Sequence, residues 1–300
     1  MSHAHHHGAH GHHHTHDKLT YAVFINILLT IAQIVGGVLS GSLSLVADAL
    51  HNLSDAGAIF IALLARKIAN RPANETMTYG YQRAEIIGAL INSTTLILIG
   101  IYLIFEAISK VFNPEPIDGW IVVWIAALAL FIDVITALLT YFSGAKTSMN
   151  IRAAFIHNIS DALASLVVII SGSLIILYQI YWVDIVATVL ISLYVIYHGS
   201  LLAKESMNIL MQAVPNHITL PEVVDFMKHT MEIKDVPHIH IWQLDEHKVM
   251  LDAQIILGNQ LNIDIARLKL ALKEKYHISH ATIEIVTSAD KIDTCYISAS

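Results

Sequence analysis

Six long apolar segments dominate the first two thirds of this sequence and restrict its fold more than any other feature. Each reaches the roughly 20 residues that a helix needs to cross a bilayer. Stretches such as ILLTIAQIVGGVL lack the polar stripe that a helix on the surface of a soluble protein carries. The sequence therefore predicts an α-helical membrane protein with six transmembrane helices, at roughly residues 19–40, 43–65, 85–109, 119–142, 152–178 and 181–202.

Composition agrees with burial of this part of the chain in lipid. Of the 300 residues, 55% are hydrophobic and 14% are charged, which argues against a wholly soluble protein. Eight of the 17 Lys and Arg residues follow residue 215, so we expect the last third to be aqueous. The one cysteine, Cys295, excludes an intrachain disulfide framework. Since no basic cluster is present, we expect no nucleic-acid partner.

The first 18 residues, MSHAHHHGAHGHHHTHDK, are rich in histidine. Nine of the 19 histidines lie here, separated by Gly, Ala and Thr. Because the few apolar residues of the segment, Met1, Ala4 and Ala9, cannot form a packed core, we predict a disordered tail over residues 1–18. Exposed histidines are mostly neutral at pH 7 and able to bind metal, so metal capture is a candidate role. An engineered purification tag is the alternative, which the irregular spacing disfavours.

Charged residues at the segment ends predict the orientation in the membrane. On one side of the predicted membrane helices, the ends and loops carry a single basic residue, Lys110, together with Glu115, Asp118 and Asp184. The positive-inside rule places the more basic side in the cytoplasm, and both termini with it. That basic side contains Lys18, Arg66, Lys67, Arg71, Arg83, Lys146, Arg152 and Lys204.

The pattern changes after Pro215. Residues 220–233 and 261–276 predict amphipathic helices, and three short runs predict strands at 238–244, 248–257 and 280–286. The order αββαβ predicts a small α+β domain with its helices on one face of the sheet. We therefore divide the chain into a tail (1–18), a transmembrane domain (19–204) and a linker with a cytoplasmic domain (205–300).

Ionisable residues in two of the apolar segments are candidate functional residues. An Asp at the centre of a membrane helix costs about 2.5–3.5 kcal/mol on insertion scales, so such residues face the interior of a helix bundle. The second segment contains HNLSDA at 51–56, and the fifth contains HNISDA at 157–162. Transporters built from repeats bind their substrate between corresponding helices. The repeated hexapeptide therefore predicts a site between these two segments.

The spacing within each hexapeptide favours a metal site. His51 and Asp55, and likewise His157 and Asp161, are four residues apart and share one helix face, about 6 Å from each other. Two facing pairs offer two imidazole nitrogens and two carboxylate oxygens, a set that suits tetrahedral zinc. Magnesium or calcium would require more oxygens, and copper(I) would require sulfur. The alternative is that each His–Asp pair only packs within its own helix.

The sequence resembles the cation diffusion facilitator family, in the branch that includes zinc exporters and vesicular zinc transporters of eukaryotes. The resemblance runs from the second apolar segment into the C-terminal region. It rests on GSLSLVADALHNLSDA (41–56), YGYQRAEIIGALIN (79–92), IHNISDA (156–162), ESMNILMQAVP (205–215) and HIHIW (238–242).

The resemblance implies a homodimer with a ferredoxin-like cytoplasmic domain that exports zinc in exchange for protons by alternating access. It implies that His51, Asp55, His157 and Asp161 bind the transported metal, with no enzymatic activity and no catalytic or cofactor-binding residue. Relatives that favour iron or manganese tend to have Asp at the histidine positions, so this set favours zinc. We expect the bacterial inner (plasma) membrane as the location. The cytoplasmic domain and the histidine-rich tail are further candidates for zinc binding.

Two departures from the family pattern concern the soluble domain and the fourth segment. Many relatives have His where this chain has Pro237, Gln254 and Glu284, so a regulatory metal site there is depleted or rebuilt. Asp133 stands where relatives often have Asn; it and Asp48 are candidates for proton handling or for lining a solvated cavity. Three nearby histidines are candidates to replace the missing ligands: His238, His240 and His247. We favour a role in strand and turn structure for them.

Two other functions fit part of the pattern. A membrane metalloenzyme would use the His–Asp pairs to hold a catalytic metal, but the sequence has no H-E-x-x-H motif. A metal sensor anchored by its helices would leave two costly pairs in the membrane without a role. The sequence leaves open which of zinc, cadmium, cobalt and manganese is preferred.

Overall fold

The structure is a computed structural model that describes residues 13–142, 149–231, 233–258 and 264–286. The chain divides into two compact units, one made of Met1–Phe60 with Asn92–Ser200 and the other of Ile61–Ile91 with Leu201–Ser300. Long helices occupy the first two thirds of the described chain: α1 (His13–Ser40), α2 (Leu43–Ala69), α3 (Ala84–Phe112), α4 (Gly119–Phe142), α5 (Met149–Tyr178) and α6 (Trp182–Leu210).

Four of these helices contain a stretch that is long and apolar enough to cross a membrane: Ala84–Phe112, Gly119–Phe142, Phe155–Tyr178 and Trp182–Leu210. In α1 the shorter stretch Ile27–Ser40 is apolar. Helix α2 has 27 residues, but Asp48, His51 and Asp55 lower its mean hydropathy. The chain is thus an integral membrane protein, and membrane crossing by α1 and α2 stays a prediction.

Two boundaries of the expected domain division differ in the structure. Helix α1 begins at His13, inside the segment that we expected to be an unstructured tail. No Gly or Pro interrupts residues 13–18, so the helix extends past its apolar part. Likewise α6 continues to Leu210, beyond the expected boundary at residue 204, because residues 205–210 contain no Gly or Pro; Gln212, with a φ of 58°, follows its end. Residues 1–12 of the predicted tail lie outside the described residues.

The start of α2 is capped by a side chain from α6. The carboxylate of Asp184, which is fully buried, accepts hydrogen bonds from Leu43 N (2.8 Å) and from the hydroxyls of Ser42 (2.6 Å) and Ser44 (2.5 Å). The first backbone N–H groups of a helix have no partner within the helix, and buried ones need an acceptor. Asp184 therefore fixes the beginning of α2, the helix that carries His51 and Asp55.

Close packing between the helices depends on small residues. A Cβ placed on Gly172 of α5 would lie 2.9 Å from Cγ1 of Val122 on α4, so only glycine fits there. A Cβ placed on Gly100 of α3 would likewise lie 2.6 Å from Cγ1 of Ile196 on α6. Small residues of this kind let helix backbones approach closely in membranes.

The C-terminal part folds in the predicted order αββαβ. It contains α7 (Leu220–Met231), β1 (Ile233–Gln243), β2 (Val249–Leu257), α8 (Ile265–Tyr276) and β3 (Ile278–Val286). The sheet order is β1-β2-β3, with β1 antiparallel and β3 parallel to β2. Val223 and Met227 of α7, and Leu268 and Leu272 of α8, join the strands in one hydrophobic core. This is the predicted α+β architecture; the ferredoxin-like fold stays a prediction.

Strand β1 is longer than its sequence predicts. It begins at Ile233, whereas the sequence suggested a helix to residue 233 and a strand from 238. Pro237 lies in this strand, where the register with β2 is irregular between Asp235 and His238. A proline is tolerated there because β1 is an edge strand with a bulge, so no ladder hydrogen bond is lost.

Candidate metal centre

The repeated hexapeptides lie on α2 and α5, and the structure brings their four ionisable side chains together. Each hexapeptide lies within a continuous helix, so its His and Asp face the same direction one turn apart. The two pairs then meet between the helices. His51, Asp55, His157 and Asp161 were the four predicted metal-binding residues, and all four take part in this cluster.

The nitrogen–oxygen distances in the cluster fall in a narrow range. His51 Nε2 lies 3.4 Å from Asp161 Oδ1 and 3.8 Å from Asp55 Oδ2. His157 Nε2 lies 3.4 Å from Asp55 Oδ2 and 3.5 Å from Asp161 Oδ2. Each imidazole thus faces one carboxylate of its own helix and one of the other. The two imidazole rings have their centroids 6.2 Å apart and are nearly perpendicular.

Several polar atoms of the cluster are buried without a hydrogen-bond partner in the described part of the chain. These are both ring nitrogens of His51, Asp55 Oδ2 and Asp161 Oδ1. Buried polar groups are nearly always satisfied, and exceptions call for an explanation such as an ion. Nε2 of His51 faces Asp55 Oδ2 and Asp161 Oδ1, so one bound cation would satisfy these three atoms together, whereas Nδ1 of His51 lies on the other side of the ring.

The four residues are not equivalent. His51, Asp55 and Asp161 each offer a ligand atom within 4.8 Å of the other two, which makes them a compact group of three. His157 stands at the open side, with 47% of its side chain exposed against 10% for His51.

The asparagines of the two hexapeptides have matching structural roles. Asn52 donates through Nδ2 to Gln33 Oε1 of α1 at 3.0 Å. Asn158 donates through Nδ2 to Thr140 Oγ1 of α4 at 3.2 Å. Each asparagine thus ties its own helix to the helix that precedes it in the chain. These bonds orient the two helices that carry the candidate ligands.

Asp48 and Asp133, the two other intramembrane carboxylates noted in the sequence, meet at Ser165 of α5. Ser165 Oγ lies 3.3 Å from Asp48 Oδ2 and 3.1 Å from Asp133 Oδ2. Gln33 Nε2 donates to Asp48 Oδ2 at 2.7 Å. Sequence reasoning did not identify Gln33 and Ser165, although a Gln in an apolar helix and a Ser four residues after Asp161 were visible signals.

Aromatic and imidazole groups of α6 border the cluster. The ring of Tyr194 is perpendicular to that of His51, with centroids 6.1 Å apart, and the ring of His198 lies 4.5 Å from Tyr194. Neither residue was predicted to belong to the site, because no repeat in the sequence marks them. The Tyr194 ring thus packs against one side of the His51 ring.

The C-terminal domain pairs two of the residues at which the sequence was expected to depart from the family pattern. Gln254 on β2 and Glu284 on β3 are register partners, and Gln254 Nε2 donates to Glu284 Oε2 at 2.8 Å. The rings of His238 and His240 lie 4.6 Å apart. Among the described residues, the group suited to a metal ion is the one at His51, and none of these C-terminal residues is part of it.

Comparisons with known proteins cover most of the chain. The family model of the cation efflux transmembrane domain matches residues 19–211. The zinc transporter ZitB of Pectobacterium atrosepticum is 33% identical over 96% of this chain and 92% of its own length. The cadmium, cobalt and zinc/H(+)-K(+) antiporter of Bacillus subtilis is 32% identical, covering 96% and 95%. The metal cation efflux system protein CzcD of Cupriavidus metallidurans is 35% identical, covering 91% and 89%.

Proposed function

Since the chain belongs to the cation diffusion facilitator family, in its zinc-transporting branch, we propose that it exports zinc from the cytoplasm in exchange for protons. The observation that carries this proposal is the set of four His–Asp distances between α2 and α5, which lie between 3.4 and 3.8 Å. We propose that His51, Asp55, His157 and Asp161 bind the transported ion.

The spacing of the ligand atoms suits zinc. Zinc binds imidazole nitrogen and carboxylate oxygen at about 2.0–2.2 Å with tetrahedral geometry, which separates neighbouring ligand atoms by about 3.4 Å. Three of the four His–Asp distances are within 0.1 Å of that spacing, at 3.4, 3.4 and 3.5 Å. Asp161 faces His51 through Oδ1 and His157 through Oδ2, so a tetrahedral site would use one of these two oxygens for both contacts. The fourth, between His51 and Asp55, is 3.8 Å, and a small rotation of either side chain would shorten it.

The choice of donor atoms supports the same metal. Two nitrogens and two oxygens favour zinc over magnesium and calcium, which prefer oxygen in larger number. Relatives are named for zinc, and for cadmium and cobalt together with zinc. We therefore propose zinc as the main substrate and expect cadmium and cobalt to be carried as well.

Proton exchange follows from the chemistry of the same atoms. Zinc requires neutral imidazole and ionised carboxylate, so metal binding releases any protons that these groups hold. Without metal, His51 and Asp161 face each other at 3.4 Å, and so do His157 and Asp55, and a proton shared in each contact neutralises the carboxylate. Zinc and protons thus compete for one site, and access from alternate sides converts this competition into antiport.

The setting of the protein completes the proposal. We propose six membrane crossings with both termini in the cytoplasm, in the bacterial inner membrane and as a homodimer. The excess of Lys and Arg on one side of the apolar segments supports the orientation, and the bacterial relatives support the membrane. We expect a transporter without enzymatic activity, in which the histidine-rich tail raises the local zinc concentration.

The experiment that tests this function measures zinc flux in proteoliposomes with and without a pH gradient. We expect a proton gradient to drive zinc uphill, and a protonophore to abolish uphill movement while downhill exchange persists. Because the Bacillus subtilis relative is named a cadmium, cobalt and zinc/H(+)-K(+) antiporter, the assay is run with and without potassium. Uphill zinc movement in the absence of every ion gradient would contradict the antiport proposal.

A further inference from the structure

A second polar cluster lies one helical turn from the candidate zinc ligands. Asp48 precedes His51 by three residues on α2, and Ser165 follows Asp161 by four residues on α5, so each pair shares a helix face. Asp133 of α4 completes the cluster. All three side chains are buried, and Asp48 and Ser165 have no exposed surface.

Ser165 contacts both carboxyl groups at hydrogen-bond distance. Its Oγ lies 3.3 Å from Asp48 Oδ2 and 3.1 Å from Asp133 Oδ2. A serine hydroxyl has one hydrogen to donate, whereas an ionised carboxylate can only accept. Both contacts are therefore hydrogen bonds only if one of the two carboxyl groups is protonated and donates to Ser165 Oγ.

The other groups in hydrogen-bond contact with the pair are uncharged. Gln33 Nε2 donates to Asp48 Oδ2 at 2.7 Å, and Asn52 Nδ2 donates to Gln33 Oε1. The hydrogen bonds therefore run from Asn52 through Gln33 to Asp48. Asp48 Oδ1 is buried without a donor in the described part of the chain. The ion pairs that Lys and Arg make among the described residues do not include Asp48 or Asp133. Two neighbouring buried carboxylates without a cation rarely ionise together.

We propose that Asp48 and Asp133 hold one proton between them, bridged by Ser165, and that zinc binding at the neighbouring site releases it. This pair would be a proton site of the transporter separate from the metal ligands. The inference rests on the proposed function, because release is driven by zinc. The titratable groups that face the pair from α2 and α5 are His51, His157 and Asp161.

The proton has two alternative positions, one on each carboxyl group that contacts the serine. With the proton on Asp133, Asp133 donates to Ser165 Oγ, and Ser165 donates to ionised Asp48. With the proton on Asp48, both hydrogen bonds reverse, and no charge is created or lost. A divalent cation one helical turn away favours the ionised form of both carboxyl groups, so the shared proton leaves to water. Ser165 is a positioning residue, since its hydroxyl holds the two carboxyl groups at hydrogen-bond distance from one oxygen.

The test counts the protons released when zinc binds to the purified full-length protein, by calorimetry in buffers with different enthalpies of ionisation. We expect Asp133→Asn to lower the count by about one proton per zinc while zinc affinity changes by less than about tenfold. Ser165→Ala should shift the pH at which release occurs. The matched control is Ser171→Ala, a buried serine on the same helix, which should leave count and pH profile unchanged.

The outcomes separate this inference from the proposed function. Absence of zinc binding by the wild-type protein contradicts the proposed function itself. Normal zinc binding by Asp133→Asn with an unchanged proton count overturns the proton site alone. Should Asp133→Asn fail to fold, Asp48→Asn removes the other carboxyl group of the pair. Infrared difference spectra of the wild-type protein give an independent check, since zinc must then remove a protonated-carboxyl band, and no such loss would overturn the inference.

Discussion

His51 lies closer to the aspartate of the other helix than to the aspartate of its own helix. Its Nε2 is 3.4 Å from Asp161 Oδ1 on α5 and 3.8 Å from Asp55 Oδ2 on α2. If each His–Asp pair served only to pack within its own helix, the contact within the helix would be the shorter one. The crossed arrangement instead makes one four-residue cluster out of two repeats, and it gives the first prediction.

Asp161→Ala and His157→Ala should each reduce zinc flux by roughly 100-fold or more, because loss of even an outer partner of a metal ligand costs about 10–100-fold. Both variants should still insert into the membrane. The measurement is zinc flux in proteoliposomes at matched protein density. Ser160→Ala is the control, since Ser160 Oγ donates to Ile156 O within α5 and faces no ligand atom. Wild-type flux in either variant would remove that residue from the site.

His51→Asp should broaden metal selectivity towards manganese or cadmium. The substitution replaces a nitrogen donor by an oxygen donor at a buried position, and carboxylate suits harder ions such as manganese better than imidazole does. The measurement is competition of manganese, cadmium and cobalt against zinc in the flux assay. His198→Asp, at a histidine that contacts Tyr194 outside the cluster, is the comparison. An unchanged preference in His51→Asp would contradict a ligand role based on donor type.

Deletion of residues 2–12 should raise the zinc concentration needed for half-maximal transport and leave the maximal rate nearly intact. The segment contains six of the chain's 19 histidines and precedes the first helix, which begins at His13. A tethered metal-binding segment changes the effective concentration at the site without changing the site. A second variant replaces the histidines of the same segment by serine at constant length, which separates the effect of the histidines from that of the segment's length. Complete loss of flux would indicate a structural role.

Asp184→Ala should destabilise the protein by about 1–3 kcal/mol, because it leaves buried donors at the start of α2 without an acceptor. The measurement is thermal unfolding in detergent. Asp118→Ala is the matched control: Asp118 caps the exposed start of α4, where it accepts from Trp120 N at 3.0 Å. Water can accept this hydrogen bond in place of the Asp118 carboxylate, so Asp118→Ala should lower the stability by about 1 kcal/mol or less. Equal costs at the two positions would contradict the role of burial.

Lys228→Met should lower stability slightly at pH 7 and have no effect in acid. Lys228 Nζ lies 2.9 Å from Asp235 Oδ1, and this hydrogen bond lowers the pKa of Asp235. Because the pKa in the folded state is below that of the unfolded chain, about 3.9, the pair stabilises the fold above that pH. The contribution is lost as the pH falls through the pKa of the folded state.

The expected size of this effect at pH 7 is about 0.5 kcal/mol, since both side chains are partly exposed and screened by solvent. Hydrogen exchange of the β1 amides at two pH values measures it. Lys248→Met, where Nζ is 3.8 Å from Asp245 Oδ2, should show a smaller difference. A difference between Lys228→Met and wild type that persists at low pH would show that packing of the lysine stem, and not charge, is responsible.

The sequence by itself was sufficient for the family, the apolar segments and the four candidate ligands. Membrane helices must satisfy their hydrogen bonds internally, so apolar length alone predicts where they form. The repeated hexapeptide marks His51 and His157 because its period places His and Asp on one helix face. The order αββαβ was also predictable, since strand and helix periodicities differ. These properties are local and can be derived from residues that are near one another in the chain.

Only the tertiary structure decided the relations between distant residues. Asp184 caps α2 from 141 residues away, and Ser165 joins Asp48 to Asp133 across three helices. The start of β1 likewise depends on its pairing with β2, which outweighs the local helical pattern near residue 233. Hydrogen bonds between helices depend on which faces meet, and helix packing determines those faces. The pairing of polar groups that are far apart in the chain is therefore a property of the assembled bundle.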